Sequence, residues 1–174
     1  VAEQAAAKLT HQRTSIVGHV VRSALAGMYV GVCIVLILTV GATLANDAPH
    51  LVKLLMGVCF GGALTLVVFA GSELFTGSNM VLTLGVLTRK TSGRDLASNW
   101  TWTWIGNLLG SVLLAVLVIR SGVLSAEPFR AFVLKAVETK ITLPAEQLFV
   151  RAMLANWLVT CGDADQARYI ISRG

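Results

Sequence analysis

The sequence predicts an all-α fold, a polytopic bundle of membrane helices whose second crossing is broken. Hydrophobic residues make up 55% of the 174 residues, charged residues make up 13%, and the mean hydropathy is +0.74. A soluble domain carries about 25% charged residues, and one small core could not cover this much apolar surface. Composition and hydropathy therefore place most of the chain in a lipid bilayer.

The second crossing is the most informative segment. From Leu54 to Thr88 the chain has 35 residues, and Glu73 is their single formal charge. A continuous helix of this length would measure about 50 Å against a hydrocarbon core of about 30 Å, whereas two full spans would need about 40 apolar residues. The turn-forming stretch GSELFTGSN lies between two apolar blocks. We therefore predict one crossing over 54–88 that is broken at 71–79. Because irregular backbone is tolerated at membrane depth only inside protein or beside a cavity, the break is expected to border a permeation path.

The segment before this crossing divides into a surface helix and a first span. Residues 1–22 place Lys8, Arg13 and Arg22 among alanines and valines, which favours an amphipathic surface helix over a cleaved signal peptide. The transmembrane domain covers 23–161. Its first span, 23–45, is uncharged and ends at the turn signal Asn46-Asp47-Ala48-Pro49.

After the broken crossing, a short hydrophilic connection leads into a third span at 96–119. Trp100, Trp102 and Trp104 crowd its start, as in an interfacial belt, although an aromatic cluster can also be a stacking platform for a ligand. The pairs Gly27/Gly31, Gly57/Gly61 and Gly106/Gly110 have the small-xxx-small spacing that allows helices to approach closely in lipid. A tight bundle is expected.

The last apolar run, 148–161, is too short for a complete span. It has about 14 residues, includes Arg151, and is followed by the polar segment 162–174. This run is expected to be a partial span: either the chain is a fragment, or residues are absent from the sequence around Cys161 and after Arg173, and the second alternative is favoured.

Charge favours a cytoplasmic N-terminus. In that orientation Lys53 is the sole basic residue of the first outer loop, whereas six basic residues fall inside: Lys8, Arg13, Arg22, Arg89, Lys90 and Arg94. The connection from Arg120 to Lys140 would then lie outside with four basic residues. This goes against the excess of basic residues expected on the cytoplasmic side, unless some of the four point into a pore mouth.

Several function classes have little support. The basic residues lie between apolar runs, where lipid headgroups are, and do not form a basic stripe with interleaved aromatics, so nucleic-acid binding is not expected. His11, His19 and His50 lie near span ends and are not paired at mid-membrane on facing helices, so a haem-carrying redox subunit is not expected. The sequence has no metal-ligand cluster, nucleophile elbow or phosphate loop, so we expect no enzyme, no cofactor and no metal.

Three motifs point to a known family. The stretch GSELFTGSN with Glu73-Leu74-Phe75-Thr76, the run Trp104-Ile105-Gly106-Asn107-Leu108-Leu109-Gly110, and Leu154-Ala155-Asn156-Trp157-Leu158-Val159 closely resemble the formate/nitrite transporter family over roughly Ala24 to Val159. Ser-Glu-Leu-Phe-Thr-Gly looks more like the nitrite branch than the formate branch. The resemblance implies an aquaporin-like fold, a homopentamer in the bacterial plasma (inner) membrane, and passage of nitrite, or of formate or hydrosulfide.

The resemblance also implies roles for individual residues. Phe75 and Leu64 look like the cytoplasmic constriction, and Phe60 is similar to the periplasmic one. Thr76, Lys140 and Asn156 match substrate-binding positions; the broken-helix loop includes Gly71, Glu73, Leu74 and Gly77.

The physical problem for an anion in such a passage is desolvation. The idealised penalty is about 20 kcal/mol and is still several kcal/mol in real proteins. A cation, hydroxyl and amide donors, and the positive end of a half-helix near Asn79 can offset it. In the family a central histidine is thought to exchange a proton with the substrate, which would cross the dry part as a neutral acid.

This chain departs from the family pattern, because its members have six spans in two inverted halves and the histidine lies in the fifth. The second half is incomplete here. Two functions therefore stay open: a small-anion channel or proton-coupled transporter, and a non-transporting membrane anchor or assembly subunit. The intact mass of the purified protein would separate them.

Overall fold

The structure, a computed structural model, describes the backbone of residues 2–171 and the side chains of residues 5–159 other than 7 and 11. This part of the chain folds into seven α-helices and contains no strand: α1 (Ala2–Thr14), α2 (Ile16–Leu44), α3 (Pro49–Phe69), α4 (Phe75–Leu87), α5 (Gly93–Ser121), α6 (Phe129–Ile141) and α7 (Ala145–Ile171). By length and composition, α2, α3 and α5 could each cross a membrane. The prediction of an all-α membrane bundle is confirmed.

The centre of the bundle is a seam between two parallel helices, α2 and α5. Three contacts climb this seam, and each joins residues 84 positions apart: His19 with Thr103, Ser23 with Asn107, and Gly27 with Ser111. Both residue numbers rise together, so the helices run in the same direction. That is expected of the first and third spans when one crossing separates them.

Glycines allow the two backbones of this seam to touch. A Cβ atom added to Gly110 would lie 1.9 Å from the carbonyl oxygen of Ala24, and one added to Gly27 would lie 2.2 Å from that of Asn107. The close approach expected from the small-xxx-small spacing is thus present at this seam. By contrast, a Cβ at Gly57 or Gly61 would meet no atom of the described residues within 4 Å.

The second crossing is broken, as the sequence predicts. Helix α3 ends at Phe69 and α4 begins at Phe75, and Gly71 takes φ +60°, a conformation that favours glycine. The interruption is shorter than the predicted 71–79, because residues 75–79 form the first turn of α4. Hydroxyl, amide and glycine residues are tolerated in this turn, where the N–H groups of the first three residues have no acceptor within the helix.

Helix α1 packs at the end of the bundle where α4 finishes and α5 starts. Ala5 and Leu9 are buried against Val81 and Leu82 of α4. The first membrane helix starts earlier than the predicted residue 23, since Ser15 caps α2 by accepting a hydrogen bond from the Gly18 N–H. Arg22 therefore lies within α2 rather than in the surface segment.

The C-terminal third contains a helix in the segment interpreted from the sequence as a connection. The connection from Arg120 to Lys140 includes α6, which contacts α2; Phe132 approaches Gly41 there. Helix α7 begins before the predicted span 148–161 and continues to Ile171. Residues 172–174 of the predicted polar segment lie outside the described residues.

Candidate functional site at the broken helix

The break lies at mid-depth in the bundle. The backbone N–H of Phe75, the first residue of α4, donates to Asn107 Oδ1 at 3.0 Å. Asn107 follows 14 residues after Gly93, about 21 Å along a helix of about 43 Å. The interruption is thus near the middle of α5 and does not project from the end of the bundle.

Asn107 joins three segments through one side chain. Its Oδ1 accepts from Phe75, while its Nδ2 donates to the carbonyl oxygens of Ser23 at 2.7 Å and Glu73 at 3.0 Å. Helix α4 has no side-chain N-cap of its own, because its N-cap residue is Leu74. The amide on α5 therefore accepts the N–H of the first residue of α4, one of the N–H groups that have no acceptor within the helix.

The acidic residue of the break is neutralised by the N-terminal helix. Lys8 Nζ donates to Glu73 Oε2 at 2.5 Å, and Ser78 Oγ donates to the same oxygen at 3.1 Å. The Glu73 side chain is 14% exposed and that of Lys8 is 28% exposed. A carboxylate at this depth needs such a partner, and the pair fixes α1 to the break.

The region around the start of α4 has three polar side-chain atoms with no partner in the described part of the chain. Ser72 Oγ, Thr76 Oγ1 and Asn79 Oδ1 are buried and have no hydrogen-bond partner within the described part of the chain. Buried polar groups are normally hydrogen-bonded. Three unpaired atoms beside one helix N-terminus therefore indicate a polar region inside the bundle. The first-turn N–H groups add the positive end of the helix dipole.

The predicted constriction residues lie on both sides of the break. Phe60 and Leu64 are one turn apart in α3 and are both half-buried, and Phe75 opens α4. The Phe75 ring packs edge-on against Trp100, with centroids 6.1 Å apart and planes at 62°. Trp100 thus supports the Phe75 ring in addition to any contact with the membrane interface.

The other predicted site residues are distributed as follows. Gly71, Glu73 and Leu74 lie in the break, and Thr76 and Gly77 lie in the first turn of α4. Lys140 is exposed in the last turn of α6, and Asn156 is exposed on α7, which contacts α4. The structure therefore collects the residues of the break, while Lys140 projects from a separate helix.

A buried polar network beside the break was not predicted from the sequence. His19 is 1% exposed and its Nε2 lies 2.9 Å from Thr103 Oγ1. Thr103 also donates to Asn99, which donates in turn to Gln12 of α1. A signal was available: Asn99, Thr103, Asn107 and Ser111 recur every four residues, as do His19, Ser23, Gly27 and Gly31.

A crossing that is interrupted at mid-depth, with its acidic residue paired and several polar atoms open, defines an integral membrane protein with a polar region inside its bundle. The family model described as "Formate/nitrite transporter" matches residues 1–163. The chain belongs to the formate/nitrite transporter family.

Individual relatives agree with this assignment. The chain is 45% identical over 142 residues to the "Nitrite transporter NirC" of Salmonella typhimurium, covering 82% of this chain and 52% of the relative. It is 38% identical to the "Probable formate transporter" of Methanothermobacter thermautotrophicus, covering 80% and 57%. A solved structure titled "FNT family ion channel" superposes with a TM-score of 0.83 at 42% identity, covering 91% of this chain and 63% of that one. The chain spans about half the length of the curated relatives that it matches.

Proposed function

We propose that the protein provides a transmembrane path for a small monovalent anion, with nitrite as the first candidate and formate and hydrosulfide as further ones. It acts as a channel in which the substrate crosses the dry section as a neutral acid, linked to a proton. Similarity to relatives named as nitrite and formate transporters supports the substrate class. The observation that carries the proposal is the set of open polar atoms beside the N-terminus of α4, at mid-depth in the bundle.

Desolvation is the main barrier to an anion here, and the start of α4 lowers it. A half-helix directs its positive dipole end and its free N–H groups toward an anionic group, as in other membrane proteins with interrupted helices. The Thr76 hydroxyl has no partner within the described residues, so it can donate to a substrate oxygen. In this proposal Lys140 attracts the anion at a pore mouth, and Asn156 contributes an amide.

Hydrophobic side chains would select against hydrated ions. Phe60 and Leu64 on α3 and Phe75 on α4 are assigned to the two constrictions. A narrow apolar section admits a compact substrate that sheds its charge, and it blocks an ion that keeps its water. The Lys8–Glu73 pair fits this scheme, because an unpaired carboxylate in the break would repel the anion.

The proposed assembly is a homopentamer in the bacterial plasma (inner) membrane with the N-terminus in the cytoplasm. Support for the orientation comes from Arg89, Lys90 and Arg94, which lie in or next to the turn between α4 and α5, at the same end as α1. Apolar side chains on α5 are open to lipid or to neighbouring protomers: Leu108, Leu109, Val112, Leu113, Val116 and Leu117.

The function is tested by flux of nitrite and formate into liposomes that contain the full-length protein. We expect Thr76→Ala and Lys140→Ala each to reduce flux by about tenfold, the loss of one charge-assisted hydrogen bond. Thr101→Ala is the control for Thr76, because the Thr101 hydroxyl donates to the Ala97 carbonyl of its own helix. Lys135→Ala is the control for Lys140, because both lysines are exposed on α6. Both controls should keep wild-type flux.

Two results would count against the proposal. A wild-type protein that passes neither nitrite nor formate rejects the function. Unchanged flux in both Thr76→Ala and Lys140→Ala rejects the assigned substrate contacts.

A further inference from the structure

We infer that Asn107 is a positioning residue for permeation: it holds the break in the shape that sets the width of the path at Phe75. This inference rests on the proposed function and extends it to a residue that contacts no substrate. Asn107 uses its oxygen for Phe75 and its nitrogen for Ser23 and Glu73, so one amide links α5, α2 and both ends of the Glu73–Phe75 stretch.

The bonding capacity of this amide matches its surroundings. An Asn side chain offers two N–H donors and one acceptor oxygen, and both donors and the oxygen are used here. The backbone groups that it satisfies are those a broken helix exposes, namely the carbonyl of Glu73 and the first N–H of α4. Left unpaired at this depth, they would have to find water or refold the break.

The support for Asn107 is rigid. Its own backbone lies on the α2 seam, where a Cβ added to Gly27 would come within 2.2 Å of the Asn107 carbonyl oxygen. The backbones of α2 and α5 are in close contact at this point, and this contact positions the amide beside the break. Residue 75 is thereby held at its backbone by Asn107 and at its ring by Trp100.

Loss of Asn107 should therefore widen the constriction at Phe75 more than it weakens binding of the permeating anion. With the Phe75 N–H and the Glu73 carbonyl released, the Phe75 ring gains freedom and a larger monoacid can pass. Acetate and formate carry the same charge and differ by one methyl group, so their flux ratio reports width and is insensitive to a change in local charge.

Asn107→Ala is compared with Asn99→Ala in liposomes containing the full-length protein. Asn99 lies eight residues earlier on α5, is fully buried, and bonds Gln12 and Thr103 without touching the break. We expect Asn107→Ala to raise the acetate-to-formate flux ratio at least threefold, and Asn99→Ala to leave the ratio unchanged. Hydrogen exchange of the amides at 70–78 should quicken in Asn107→Ala alone.

A second variant covers the case in which Asn107→Ala does not fold. Asn107→Asp has the same shape and keeps the acceptor for Phe75, but it loses both N–H donors to Ser23 and Glu73, a protonated carboxyl replacing at most one of them, and the same rise in the ratio is expected. An unchanged ratio in the folded Asn107 variants, or an equal rise in Asn99→Ala, overturns the inference. If the wild type carries no anion at all, the proposed function fails, and unaltered exchange at 70–78 would separately reject the positioning role.

Discussion

At the scale of single residues, the most consequential arrangement is the ion pair between Lys8 and Glu73. Glu73 is the one formal charge of the second crossing, and it lies at mid-depth, where an unpaired carboxylate is strongly disfavoured. Its partner comes from α1, 65 positions earlier in the chain. This ion pair thereby links the packing of α1 to the break.

Removing this partner should destabilise the protein. Lys8→Ala leaves Glu73 with Ser78 alone, and because the pair is mostly buried the expected loss is about 1–3 kcal/mol, between the values for surface and buried pairs. The melting temperature of the purified protein in detergent measures this loss. Arg13→Ala is the matched control, since Arg13 pairs with Asp95 from a side chain that is 70% exposed, and it should change the melting temperature little. Glu73→Gln added to Lys8→Ala should restore most of the lost stability; a double variant no more stable than Lys8→Ala contradicts the charge explanation.

At the scale of helices, the α2–α5 seam fixes the geometry on which the break depends. Its glycines allow backbone contact, and that contact brings Asn107 within reach of Ser23. In lipid, where the hydrophobic effect does not drive helices together, close packing of this kind provides much of the association. The seam is therefore the structural foundation of the candidate site.

A methyl group placed in the seam should separate the helices. In Gly110→Ala the new Cβ would lie 1.9 Å from the Ala24 carbonyl oxygen, which is backbone and cannot turn away. We expect a loss of about 1–3 kcal/mol, the usual effect of overpacking, seen as a lower melting temperature. Gly57→Ala, in the same kind of motif but with no atom of the described residues within 4 Å, should be neutral or slightly stabilising. Equal destabilisation by both changes would show that the close approach at Gly110 is not the cause.

The elements also show what a sequence can predict. The broken crossing followed from length, charge and the turn-forming stretch 71–79, because one continuous helix of 35 residues is too long for a bilayer. The extent of the break did not, since α4 starts at Phe75, whose N–H donates to Asn107 on another helix, and the sequence does not show that contact. Likewise, the sequence predicts Lys8 in a surface helix and His19 near a span end, whereas tertiary contacts pair Lys8 with Glu73 and bury His19 against Thr103. The four-residue spacing of polar and small residues indicates which faces of α2 and α5 are packed, but it does not show which residues form hydrogen bonds across the seam.

At the scale of the whole molecule, the proposed function separates recognition of an anion from its passage. Dipole and hydroxyl groups at the start of α4 favour a negative charge, whereas the apolar residues assigned to the constrictions disfavour it. Both demands are met if the substrate arrives as an anion, takes up a proton, and crosses the apolar section neutral. In that case the rate depends on pH through the substrate.

Flux at several pH values tests this scheme. Well above the substrate pKa, the neutral fraction of a monoacid rises about tenfold for each unit by which pH falls, so formate flux at a fixed gradient should increase steeply on acidification. Nitrite and formate should each follow their own acid strength, which separates a property of the substrate from titration of a protein group. The anion of a strong acid of similar size, such as nitrate, provides the control, because its neutral fraction is negligible throughout. A formate rate that is flat with pH would show that the bare ion crosses, and the constrictions would then have to hold water along the whole path.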